Sequence, residues 1–326
     1  MKLLIFVALF FVQNVCAIMV LKDDQYERNK RQAVDLPTFI SPSTWESFER
    51  NGIPFLQNGA NYLFGSDSFP NEFDKLLSAV YRKITDDPIS IKDKLIQSLS
   101  DGEKFSVDNS IRYKKAVSAI NDNYRQLGLE KTVVYVYTTY YVYSDLINAM
   151  RKQGTNVELT DAEKTLASFA LVLNAILFCW KPLQSVSQVT YRGASFTVSD
   201  IAKYSVGTEF VWVQFTSSST NRTVSEDFYM GNVLFIFDNS KSTSWRPKDV
   251  SPYSYDRSHQ EALFPSGAMF RVTSKETFVY KGKSSTAIMV QLINRNTSSA
   301  EKVLHDRYML LFACICTTFI NFHVLF

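Results

Sequence analysis

Histidine and cysteine are scarce in this 326-residue chain, which has three of the first and four of the second. Processing expected at the two ends makes both scarcer. Cys16 would leave with an N-terminal signal, and Cys314 and Cys316 with a C-terminal tail, so Cys179 alone would remain and no disulfide could form within the mature chain. His305 and His323 lie in the same tail, which leaves His259. A structural zinc site needs about four Cys or His ligands, so no metal is expected. A Ser-His or Cys-His nucleophile system would have His259 as its one base, with Ser217 or Cys179 as nucleophile. Cys179 sits in an apolar helical run and reads as a core thiol. A formal charge of +3 is too small for a nucleic-acid footprint. With 46% hydrophobic and 14% aromatic residues, the chain can bury a large core without covalent staples.

The ends themselves are informative. Lys2, an uncharged apolar run over 3–12, and Val15, Cys16 and Ala17 form the pattern of a secretory signal cleaved after residue 17. The run is well short of the roughly 20 residues that span a bilayer. At the other end, small residues at Ser298, Ser299 and Ala300 precede a polar spacer over 301–308 and an apolar stretch over 309–326. That order predicts a glycosylphosphatidylinositol signal attached at Ser298, with 299–326 removed. Arg28, Asn29, Lys30 and Arg31 read either as a processing site, making 18–31 a pro-segment, or as a solvated charge cluster. Sequons at Asn221 and Asn296 suit a lumenal route. The expected address is the cell surface, with the membrane reached through a lipid.

Between the ends, residues 32–298 read as one domain without repeats. The pattern is helical over about 70–180 and strand-like over about 186–292, which predicts an α+β fold: an N-terminal helical part packed on a mainly antiparallel, two-layered β core. The clearest helix covers 160–180, opened by a capping box of Thr160 and Glu163 and stopped by Pro182. A second covers 133–150 despite its many Val, Tyr and Thr residues. Strands are expected over 186–191, 210–215, 233–237, 262–264, 268–272, 278–280 and 287–293.

Three polar groups punctuate those strands. Tyr191, Arg192 and Gly193 close the first, a Thr216 to Ser219 run closes the second, and His259, Gln260 and Glu261 precede Ala262. In this order they resemble the arginine-serine-glutamate signature of mono-ADP-ribosyltransferases, particularly the arginine-specific enzymes of cell surfaces. Tyr137, Thr138, Leu146, Asn148, Met150 and Arg151 look like that family's long helix, and Tyr253 and Ser254 precede the glutamate at its spacing. The resemblance covers about 134–272. It implies NAD, or NADP, as substrate, catalytic roles for Glu261, Ser217 and Arg192, binding roles for Gly193 and Ser219, and surface or secreted acceptor proteins.

The residue types suit that chemistry. Breaking the bond between nicotinamide and ribose develops positive charge on the ribose, which a fixed carboxylate such as Glu261 stabilises. A guanidinium such as Arg192 grips a pyrophosphate through paired hydrogen bonds, beside a backbone kept open at Gly193. A short hydroxyl such as Ser217 orients ribose or nicotinamide without bulk. Aromatics over 228–231 fall where relatives have a loop against nicotinamide, and core packing explains them equally well. The family's first glutamate, two residues before the catalytic one, is His259 in this chain. Three outcomes follow: His259 acts as the base, water becomes the main acceptor in an NAD glycohydrolase, or the fold is a catalytically silent surface binder.

Overall fold

The computed structural model describes residues 44–65, 69–106, 110–154, 156–228, 231–241 and 243–294. The expected signal, pro-segment, Ser298 attachment site and tail, and the Asn296 sequon, lie outside them, as do Tyr229 and Met230.

Helices begin earlier than the sequence pattern suggested. Trp45–Ser47 (α1) passes through a π turn, Phe48–Gly52, into Ile53–Phe64 (α2). Then come Phe73–Asp86 (α3), Pro88–Phe105 (α4), Ser110–Leu127 (α5), Leu129–Thr138 (α6), Tyr143–Gly154 (α7), Asp161–Thr165 (α8) and Ala167–Cys179 (α9). In α3, Phe73, Leu76, Leu77, Val80 and Ile84 line one buried face at helical spacing. In α4, Pro88 occupies the first turn and the Asp87 carboxylate accepts from the Ser90 amide at 3.0 Å. The Thr160 and Glu163 capping box is present.

Two expected helices are each divided. The 133–150 helix ends at Thr138 and restarts at Tyr143. Thr138 and Thr139 donate back to the carbonyls of Tyr135 and Val136, and Tyr140 takes a left-handed φ of 71°. The 160–180 helix is interrupted at Leu166, where the Ser98 hydroxyl donates to the Thr165 carbonyl at 2.5 Å. Residues 161–179 are long and apolar enough to cross a membrane, yet 72% of the span is buried inside the fold. Every residue over 167–177 is buried, so α9 is the central core helix.

The strand half contains β1 (Thr190–Ala194), α10 (Val198–Ala202), β2 (Glu209–Trp212), β3 (Thr216–Ser219), α11 (Arg222–Phe228), β4 (Val233–Asp238), β5 (Lys248–Asp249), β6 (Glu261–Phe264), β7 (Ala268–Tyr280) and β8 (Lys283–Leu292). The eight strands hydrogen-bond in the order β2-β7-β8-β4-β1-β3-β6-β5, and only β4 with β8 is parallel among them. Four strands separate β7 from β6 in that order, yet the Phe264 and Phe270 rings are 5.3 Å apart. Phe237 bridges both at 4.9 and 5.3 Å. The sheet therefore folds over itself into two layers on an aromatic core, and the α+β architecture holds.

Three strand expectations change. The first strand is Thr190–Ala194 rather than 186–191, so Arg192 lies at its centre. The strand expected over 210–215 ends at Trp212 as β2, which pairs with β7, and the serine run expected to close it is a strand of its own, β3, which pairs with β6. The runs over 268–272 and 278–280 join into one 13-residue strand, turned into β8 at Lys281 and Gly282, whose φ values of 47° and 76° suit a tight hairpin.

Candidate active site

The sequence placed Arg192, the serine run and Glu261 about 70 residues apart at the extremes. The sheet sets them on three adjacent antiparallel strands, β1, β3 and β6. Ser219 pairs with Tyr191 on one side and Glu261 on the other. They line one cleft of about 440 Å³, partly open to solvent, with Gly193, His259, Ser225 and Tyr143.

Each wall is fixed by its own bonds. The Arg192 guanidinium donates from Nη1 to the Ser217 carbonyl at 2.7 Å, tying β1 to β3 through a side chain. Ser218 donates to the Ala262 carbonyl at 2.8 Å. The Ser219 hydroxyl donates to the His259 carbonyl at 2.8 Å and accepts from the Asn221 amide at 3.0 Å. Ser219 therefore holds the turn that carries His259. The Ser225 hydroxyl on α11 donates to the Tyr191 carbonyl at 2.8 Å.

The segment before Glu261 is a 3-10 turn, Arg257–His259, capped by Asp256, whose carboxylate accepts from the Ser258 amide at 3.0 Å. Gln260 then adopts the left-handed conformation, φ 46° and ψ 49°. For a side chain other than glycine that geometry costs roughly 1 kcal/mol. It turns the chain sharply into β6, so His259 and Glu261, both buried, reach the same cleft. The imidazole Nε2 stands 3.3 Å from Asp256 Oδ2.

Two polar atoms in the cleft wall have no partner within the described residues. Ser217 Oγ and Glu261 Oε1 are both buried and make no hydrogen bond. A buried carboxylate oxygen without a partner is costly, so the pair forms a place for donor and acceptor groups of a ligand. Ribose hydroxyls and a carboxamide have that chemistry, and the guanidinium beside them suits a pyrophosphate. The residues present therefore fit a dinucleotide.

A family model of NAD:arginine ADP-ribosyltransferases matches residues 110–298, more than half of the chain. The chain belongs to that family. Arg192, Ser217, His259 and Glu261 all fall within the match, and membership supports mono-ADP-ribosyl transfer from NAD. Similar solved structures include the eukaryotic mono-ADP-ribosyltransferase ART2.2, 16% identical with a TM-score of 0.44 over 63% of this chain and 88% of that one. ADP-ribosyltransferase HopU1 of Pseudomonas syringae is 16% identical with a TM-score of 0.42, over 60% and 97%. Exoenzyme S of Pseudomonas aeruginosa, bound to carba-NAD, is 18% identical with a TM-score of 0.42, over 64% and 92%. No curated protein matches the chain.

Tyr143, Ser225 and Asp256 complete the surroundings and were not singled out from sequence. Tyr191, named with Arg192 and Gly193 at the first strand, also lines the cleft. Tyr143 opens α7, and no spacing signals that a residue 118 positions before Glu261 reaches its cleft. Cys179, expected as a core thiol, is half-buried at the end of α9, away from the cleft, and burial raises its pKa. It does not join Ser217 or His259.

Proposed function

We propose that this protein transfers ADP-ribose from NAD to a side chain of an acceptor protein, releasing nicotinamide. The observation that carries the reading is the pair of buried, partnerless polar atoms, Ser217 Oγ and Glu261 Oε1, in one cleft with the Arg192 guanidinium. In this reading Arg192 and Gly193 hold the pyrophosphate, and Ser217 orients the nicotinamide ribose. Glu261 accepts from a ribose hydroxyl and stabilises the positive charge that develops as nicotinamide departs. Ser219 contributes through the turn it holds.

The test is nicotinamide release from NAD by the purified protein. Glu261→Gln keeps the shape and removes the charge, and is expected to slow release by about 10²–10³-fold, the usual weight of one preorganised charge-stabilising group. Equal release by the variant, or none by the wild type above it, overturns the assignment. Label from NAD found on protein marks transfer, whereas label found as free ADP-ribose marks hydrolysis. NADP replaces NAD in a parallel reaction.

The same proposal sets the reaction at the outer cell surface, supported by the signal pattern over 1–17 and the attachment pattern at Ser298. NAD and acceptor proteins would then be drawn from outside the cytosol. Release of the protein from intact cells by a phosphatidylinositol-specific phospholipase is expected, and retention after such treatment refutes the anchor. Asn221, at the head of α11, is the expected glycan site, checked by a mass shift on deglycosylation.

A further inference from the structure

We propose that His259, oriented by Asp256, is the base that takes the acceptor's proton, and that the acceptor is a neutral hydroxyl side chain rather than a guanidinium. The inference rests on the NAD chemistry proposed above and names its second substrate.

Three observations carry it. First, His259 is buried, 9% exposed, and lines the cleft beside Glu261. Second, both oxygens of Asp256 are engaged. Oδ1 accepts from the Ser258 amide at 3.0 Å and the Ser258 hydroxyl at 2.5 Å, while Oδ2 faces His259 Nε2 at 3.3 Å. A carboxylate so fixed faces the imidazole that becomes positive on taking the acceptor's proton. Third, Glu261 is the carboxylate among the residues lining the cleft, and the ribose claims it.

An arginine acceptor therefore finds no second carboxylate among the residues that line the cleft. A guanidinium keeps its charge and offers donors only, so it needs carboxylate oxygens, and an imidazole that gains a proton beside it becomes repulsive. A hydroxyl escapes both problems. It is neutral, and it presents one proton to one lone pair.

The charge and atoms balance with no added reactant. The bond between the ribose C1′ and the pyridinium nitrogen breaks, and its electron pair stays with nicotinamide, which leaves neutral. The hydroxyl oxygen forms the new bond to C1′, and its proton passes to the His259 imidazole. One positive charge is lost from the pyridinium and one appears on the imidazole, where Asp256 faces it. His259 is thus a catalytic residue, and Asp256 a positioning residue.

The test uses the full protein, NAD, and two peptides alike except for a serine or an arginine at one position. The wild type is expected to modify the serine peptide at least tenfold faster than the arginine peptide. His259→Gln should lower serine transfer about 10²-fold or more, the usual share of a general base. His259→Glu should reverse the preference, because a carboxylate attracts a guanidinium, and this gain of arginine transfer cannot arise from misfolding. Asp256→Asn preserves the cap of the 3-10 turn but not the charge, so kcat for the serine peptide should fall while KM for NAD stays the same. Faster arginine modification by the wild type, serine transfer unchanged in His259→Gln, or release to water alone overturns the dyad while NAD chemistry stands. No nicotinamide release with any acceptor overturns the NAD reading, and the dyad with it.

Discussion

Ser217 and Glu261 sit in a wall where nearly every neighbouring polar atom is already engaged. Arg192 holds the Ser217 carbonyl, Ser218 holds Ala262, and Ser219 holds the turn before Glu261. The Ser217 hydroxyl, buried and partnerless, contributes nothing to the folded state that an apolar group would not. Ser217→Ala should therefore leave stability within about 0.5 kcal/mol of wild type or raise it, while kcat/KM for NAD falls about tenfold, the value of one hydrogen bond. Thermal unfolding and nicotinamide release in parallel check this, and a clear loss of stability would show that the hydroxyl serves the fold instead. At this scale the sequence was legible by residue type: the guanidinium, hydroxyl and carboxylate expected in one site do share one cleft. Asp256 was not legible, because its relation to His259 exists only once a 3-10 turn folds three residues back on themselves.

Elements explain where the sequence pattern misled. Residues 210–215 are continuously apolar apart from one Gln, which reads as one strand, yet the chain leaves β7 after Trp212 and joins β6 at Thr216. Hydrophobic continuity reports burial, not the identity of a partner strand. The change of partner is what brings Ser217 next to Arg192 and Glu261. The break between α6 and α7 has a comparable consequence. Thr138, at the C-terminal end of α6, donates to Tyr135 and accepts from the Tyr255 amide at 2.9 Å, 117 residues onward. One hydroxyl thus ties the helical half to the segment that leads into Asp256 and His259. The Tyr135 and Tyr255 rings meet at 6.0 Å beside this bond. Thr138→Val keeps the shape and the β-branch but loses the acceptor. It should cost about 1 kcal/mol, speed hydrogen exchange at the Tyr255 amide, and weaken transfer through a looser turn. Unchanged exchange at Tyr255 would mean that the ring contact alone holds the segment.

At the scale of the molecule, the family match begins at residue 110, after α1–α4. Those helices nonetheless belong to the same body. Trp245, between β4 and β5, stacks on Phe73 of α3 at 5.2 Å and meets Trp45 of α1 at 5.7 Å. Phe48 closes against Gly267, where a Cβ would stand 2.7 Å from its ring, in the turn joining β6 to β7. That turn is also where the apolar helix α9 spends its one buried amide. Asn174 donates to the Ser266 hydroxyl at 2.8 Å and accepts from the Ser266 amide at 3.1 Å, all of it buried. Such a pair has a single satisfying arrangement, so it fixes how the helical layer sits on the end of β6 and hence on Glu261. Asn174→Leu preserves volume but strands a buried amide and hydroxyl, and a loss of about 2–4 kcal/mol is expected. In urea the midpoint should fall with the slope unchanged, and far-UV helix and near-UV aromatic signals should still coincide in one transition. Two separated transitions in the wild type would mean that the helices and the sheet unfold independently, and that the pair aligns the layers without uniting them. Coincident signals with a loss well under 1 kcal/mol would place the coupling in the aromatic cluster around Trp245 instead, where Trp245→Ala should then cost about 3–5 kcal/mol.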